Sequence, residues 1–134
     1  MAAELLKADG FDVRSAVVTD DVASASKDEI KKRRGIAGGL AVLKVASAAA
    51  EAGLSLDEVY RVLNKTNDRT RTFGVAFSGC TLPGSKKPLF EVPAGKIAVG
   101  LGIHGEPGIF ETDLGTADDV AKLLVDKLLD EVPN

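Results

Sequence analysis

Bulky apolar positions alternate with small ones in two separate runs of the chain. In TFGVAFS (72–78), Phe73, Val75 and Phe77 fall on one side of an extended backbone, and Gly74, Ala76 and Ser78 on the other. In KIAVGLGIH (96–104), Ile97, Val99, Leu101 and Ile103 share one face, and Ala98, Gly100, Gly102 and His104 share the other. This pattern predicts two strands of one sheet with their bulky faces turned the same way. A shorter strand is expected at LFEV (89–92), after the CTLPGSKKP turn, and another at VRSAVVT (13–19), ending at Asp20 and Asp21.

Helical spacing marks the other segments. Residues 2–9 read as a helix stopped by Gly10. It has no Ser, Thr, Asp or Asn cap in front, so it reads as the last turns of a longer helix or as a short frayed one. From Ile36 to Ala52 the residues are small and aliphatic. Ile36, Leu40, Leu43, Ser47 and Ala50 form one face, and Gly39, Val42, Ala46 and Ala49 the next. Two apolar faces predict a helix that is mostly buried and ends at Gly53. Ser55-Leu56-Asp57-Glu58 is a capping box, followed by an apolar stripe of Leu56, Val59, Tyr60 and Leu63 that ends in polar NKTNDRTR. Thr116 to Asp119 caps a last helix running to about Val132, with Pro133 beyond. The order is helix, strand, helix, helix, three strands, helix. That is an α/β (α+β) domain with a mixed sheet and packed helices. There is no internal repeat and no low-complexity segment.

Composition narrows the picture. The 134 residues suit a single domain, and 45% are hydrophobic while only 4% are aromatic, so the core must be aliphatic. A net charge of -3 with mixed signs gives no nucleic-acid footprint. The single cysteine, Cys80, excludes an intrachain disulfide and fits a reducing, cytoplasmic setting. The N-terminal stretch does not read as a signal peptide, and no run is long and apolar enough for a membrane span.

Candidate chemistry gathers at GLGIHGEPG (100–108), where His104 is the only histidine of the chain. Glycine inside a strand weakens it and asks for a close approach, by a ligand or by another backbone. A surface turn with an incidental histidine is the other reading. GLGIHG matches G-x-G-x-x-G, but Glu106, Pro107 and Gly108 do not start the helix that a dinucleotide fingerprint needs. No G-x-x-x-x-G-K-[ST] loop is present. One His and one Cys do not make a metal site. Cys80, among small and apolar neighbours, reads as a buried, inert thiol, with a Cys-His nucleophile pair as the other reading. The KKRR run (31–34) before a helix start reads as a solvated basic face or as an anion site.

DDVAS, RRGIAGGLAVLKVASAAAEAGLSLDEV, FGVAFSGCTLPGSKKP and VGLGIHGEPG stand in an order and spacing that resemble the substrate-binding subunit of dihydroxyacetone kinases, over residues 2–134. The resemblance implies that His104 binds dihydroxyacetone, or a similar short ketose, covalently as a hemiaminal. Gly100, Gly102 and Gly105 would leave room beside it, and Glu106 would support the loop. It implies that residues 1–70 end an α/β lobe and residues 71–134 start the lobe with the covalent histidine. It also implies an upstream region with a Gly-rich segment, a second histidine and an aspartate as acid and base, which this sequence does not contain. A companion chain supplying that half is one expectation. The phosphoryl donor, ATP or ADP with Mg, would sit on a separate nucleotide-binding subunit or domain, with no cofactor bound by this chain. A homo-oligomer is expected, and neither nucleic acid nor membrane is an expected partner. The alternative is a ketone-binding regulatory or remnant homologue without catalysis.

Overall fold

Local sequence starts two of the helices, and long-range contacts decide the rest. In the computed structural model, which describes residues 1–131, the order is α1 (Ala2–Ala8), a 3-10 segment (Lys27–Lys32), α2 (Gly38–Glu51), α3 (Leu56–Arg69), β1 (Val75–Ala76), β2 (Lys96–Val99), β3 (Phe110–Asp113) and α4 (Ala117–Leu129). The expected end of the last helix near Val132 and Pro133 lies outside the described residues.

Both capping boxes form. The Ser55 hydroxyl accepts from the Glu58 N–H and the Glu58 carboxylate accepts from the Ser55 N–H; Thr116 and Asp119 do the same for α4. Hydrogen bonds from the Ser55 and Thr116 hydroxyls, then from their backbone N–H groups, hold the Glu58 and Asp119 carboxyls below the usual range. α2 has no cap of its own. Asp20, fully buried, supplies one from 18 residues upstream, its carboxylate accepting from the N–H of Ile36 (3.1 Å) and of Gly38 (2.9 Å). A Cβ on Gly38 would stand 2.5 Å from the Asp20 carboxyl carbon, so glycine is required there.

α2 packs on α3, joined through residues 52–55 with Gly53 at φ +79°. The expectation that the 36–52 helix is mostly buried fails. Only Gly38 and Val42 are buried in α2, and Leu40 and Leu43 are 66% and 64% exposed. One helix neighbour covers one face of α2, and the second apolar face has no cover among the described residues.

The sheet has the order β1-β2-β3 and is antiparallel throughout. Val75 lies opposite Val99, so the bulky positions of the two runs share a face, as the alternation predicts. The third strand is Phe110–Asp113, not 89–92. Near LFEV the backbone bonds to the loop instead, with Leu89 N–H donating to the Cys80 carbonyl (2.9 Å).

Residues 13–19 form no ladder among the described residues. Their polar groups are met by side chains of α3. The Asn67 amide accepts from Thr19 N–H (3.0 Å) and donates to the Val17 carbonyl (3.2 Å), and the Tyr60 hydroxyl donates to the Ser15 carbonyl. Pairing begins only at Asp21, in an isolated parallel bridge to Thr72. The buried apolar residues are Val42, Ile97, Ala98 and Val99, and the buried polar ones are Thr19, Asp20, Asp21, Arg33 and Asn67. The interior is thus a short aliphatic strand, β2, set beside a hydrogen-bonded polar cluster.

Candidate active-site loop

β2 ends at Val99 because Gly100 takes φ +77°, a left-handed conformation that turns the chain out of the sheet. The expected strand therefore stops short of His104. The base of the resulting loop is pinned by Gly100 N–H to the Gly74 carbonyl (2.7 Å) and Ile109 N–H to the Val99 carbonyl (2.8 Å). Its tip is closed by Gly102 N–H to the Glu106 carbonyl and Gly105 N–H to the Gly102 carbonyl, both 3.1 Å. Gly105, at φ +86°, allows that turn.

His104 stands at the tip with its side chain 83% exposed. Glu106 grips it twice. Oε2 accepts from the His104 backbone N–H (3.0 Å), and Oε1 lies 3.3 Å from Nδ1. The Glu106 N–H and then the His104 N–H hold the Glu106 carboxyl below the usual range, so it stays ionised. Nδ1 faces the carboxylate, an arrangement that favours the Nδ1–H tautomer of a neutral ring. Nε2 has no protein partner among the described residues.

The glycines do not floor an open cleft under the imidazole. A Cβ on Gly102 would meet Glu106 Oε2 at 2.0 Å and Arg34 Nη1 at 2.7 Å, one on Gly100 would meet Ile109, and one on Gly105 would meet Phe90. The small residues admit the chain's own groups. A cleft of about 350 Å³ does open beside the loop, with Gly105, Phe90, Leu101, Pro107 and Phe110 in its wall.

The basic run divides. Arg33 is buried and paired with Glu131; Arg34 is 27% exposed and paired with buried Asp21; Lys31 and Lys32 face solvent. Neither expected reading of KKRR holds for the two arginines, because the carboxylates of Asp21 and Glu131 claim them. An anion site at α2 is pre-empted as well, since Asp20 already occupies its N–H groups. Cys80, expected to be buried, is exposed, because the chain leaves the sheet after Ala76. The GLGIHG segment does not fit a nucleotide. The glycines of GLGIHG lead into a turn and β3, not a helix, so no row of free N–H groups faces a pyrophosphate. Among the described residues no group of His, Cys, Asp and Glu is placed to hold a metal, and no helix is long and apolar enough to cross a membrane. Sequence reasoning missed Asp21 and Arg34 as parts of the loop. The available signal was two opposite charge runs, DD and RR, both upstream of the same helix start.

The Dak1 domain model matches residues 1–134. The chain belongs to the Dak1 family. It is 57% identical over 129 residues to an L-erythrulose kinase of Pectobacterium atrosepticum, covering 96% of this chain and 22% of that one. The dihydroxyacetone kinase of C. freundii superposes with a TM-score of 0.88 at 38% identity, covering 98% of this chain and 24% of that one. The dihydroxyacetone kinase operon co-activator DhaQ superposes with a TM-score of 0.86 at 31% identity, covering 97% and 40%. This Dak1 chain thus spans well under half the length of the relatives it matches. Its family includes phosphotransferases, and one structure of the C. freundii kinase holds AMP-PNP and Mg2+.

Proposed function

We propose that this Dak1 chain contributes the ketone-binding histidine of a dihydroxyacetone- or erythrulose-type kinase. The observation that carries this reading is the state of His104: exposed, with Nδ1 on a carboxylate and Nε2 free. An imidazole must be neutral to attack a carbonyl. The Nε2 lone pair forms the C–N bond, and the carbonyl π pair becomes an alkoxide. The Nδ1 proton then reaches that oxygen by way of Glu106 or water, leaving a neutral hemiaminal. Gly100, Gly102, Gly105 and Glu106 serve the site by shaping and bracing the loop. Phosphoryl transfer to the ketose hydroxyl uses a donor, ATP or ADP with Mg, carried by another subunit or domain, and an acid–base pair from outside residues 1–134. Residues 1–70 belong to the end of one lobe and 71–134 to the start of the histidine lobe. The setting is cytoplasmic, and the chain associates with copies of itself or with a companion chain.

A second reading, a ketone-binding regulator without catalysis, is favoured by the likeness to the operon co-activator. Both readings need the adduct. Carbon NMR of dihydroxyacetone and erythrulose labelled at the carbonyl should move bound signal from the ketone to the tetrahedral region. His104→Ala should abolish the change. No tetrahedral carbon at saturating ketose would overturn the proposal.

A further inference from the structure

Arg34 reaches the loop from a different part of the chain. Its Nε donates to Asp21 Oδ2 (2.9 Å), its Nη2 lies 2.8 Å from the same oxygen as an ion pair, and Nη2 donates to the Gly100 carbonyl (3.1 Å). Asp21 is fully buried and anchored by the Ala23 N–H and by the bridge to Thr72. A guanidinium has five donors in a rigid fork, so two fixed nitrogens fix the third. That third nitrogen, Nη1, has no hydrogen-bond acceptor among the described residues. It stands 2.7 Å from the point a Gly102 Cβ would occupy, and Glu106 Oε2 stands 2.0 Å from the same point. Cation and carboxylate therefore face each other across the bare Cα of buried Gly102. No hydrogen bond or close ion pair joins the two among the described residues, so Arg34 acts on Oε2, the oxygen on the His104 backbone N–H, only through charge across this gap, with Oε1 left toward Nδ1.

We propose that Arg34 is the positioning residue of His104: anchored on Asp21 and tied to the Gly100 carbonyl, it holds the Glu106 carboxylate where it selects the Nδ1–H tautomer and leaves Nε2 free. Gly102 is the gap through which it acts. This rests on the reading of His104 as the ketone-binding group, but its test needs no ketone.

His104 is the only histidine, so ring-15N labelling of the chain gives one unambiguous pair of imidazole signals. At a pH well above the ordinary imidazole range, the unmodified chain should show a protonated Nδ1 and a bare Nε2. Arg34→Met should shift the population toward Nε2–H, the form free imidazole side chains prefer. Arg34→Lys should restore part of the Nδ1–H signal. Gly102→Ala, whose methyl would press on both Glu106 Oε2 and Arg34 Nη1, should act like Arg34→Met. Lys32→Met, removing a nearby charge that pairs with Glu29 instead, should leave the pattern unchanged. An Nε2–H tautomer in the unmodified chain, or an unchanged pattern in folded Arg34→Met and Gly102→Ala, would overturn the proposal. Should Arg34→Met lack a dispersed amide spectrum, Arg34→Lys and Gly102→Ala decide. A correct tautomer with no ketone adduct counts against the proposed function and not against this role of Arg34.

Discussion

Arg33 and Arg34 are neighbours with the same charge, yet the fold uses them in opposite directions. Arg34 runs to Asp21 and the His104 loop, whereas Arg33 runs to the far end of the described chain. Arg33 Nη1 and Nη2 form a forked pair with Glu131 Oε2 (2.7 Å) and Oε1 (3.1 Å), and its Nε donates to the Ala25 carbonyl. The Arg33 side chain is fully buried and that of Glu131 is 11% exposed. The hydrogen bonds from Arg33 hold the Glu131 carboxyl below the usual range, with further help from the charges of Arg33, Lys27 and Arg71. A carboxyl lowered by folding stabilises the fold fully above the ordinary glutamate range, and that contribution is lost as pH falls through the lowered value. Glu131→Gln leaves a buried guanidinium without its counter-charge and should cost about 3 kcal/mol at neutral pH. Denaturant midpoints should show the gap to the unmodified chain closing in acid. A constant gap across pH would mean that the pair contributes through shape alone.

At the scale of elements, the start of α2 is the sharpest case. Glycine in a helix is normally a cost, and the sequence has two in a row at 38 and 39. The structure separates them. Gly38 lies against the Asp20 carboxyl, whereas a Cβ on Gly39 would meet nothing within 4 Å. Gly39→Ala should stabilise by about 0.5–1 kcal/mol, the ordinary helix-propensity gain. Gly38→Ala should destabilise by about 1–3 kcal/mol, because it displaces the carboxylate that caps the helix. Thermal melts of the two variants check this, and shifts of the same sign would refute the capping role of Asp20. The strands teach the converse lesson. LFEV has the apolar content of a strand but finds no sheet partner among the described residues. FETD pairs with β2 while exposing Phe110, Glu111 and Asp113, and an edge strand with so little burial leaves no alternation to read.

For the molecule as a whole, the small apolar interior contrasts with a wide apolar surface. Leu5, Phe11, Val17, Leu40 and Leu43 are all exposed. Scattered apolar side chains are ordinary on a surface, but α2 presents Leu40 and Leu43 on one face together. Association that covers this face is the expected state. Sedimentation of the purified chain should show a dimer or larger species, or a complex once a companion chain is added. A strictly monomeric species under both conditions would count against it.

Two helix starts, the turn at Gly53, the shared face of Val75 and Val99, and the glycine-bounded loop around His104 were determined by the sequence alone. Each depends on residues a few positions apart or on strict alternation, and such patterns survive without knowledge of the fold. Only the tertiary structure decided that residues 17–19 bind an amide instead of a strand, that α2 is capped by Asp20, and that Arg33 and Arg34 part ways. Those choices join residues 18, 48 and 98 positions apart. At such separations a buried polar group takes whichever partner the packing brings to it, because leaving it unpaired costs more than any local preference supplies.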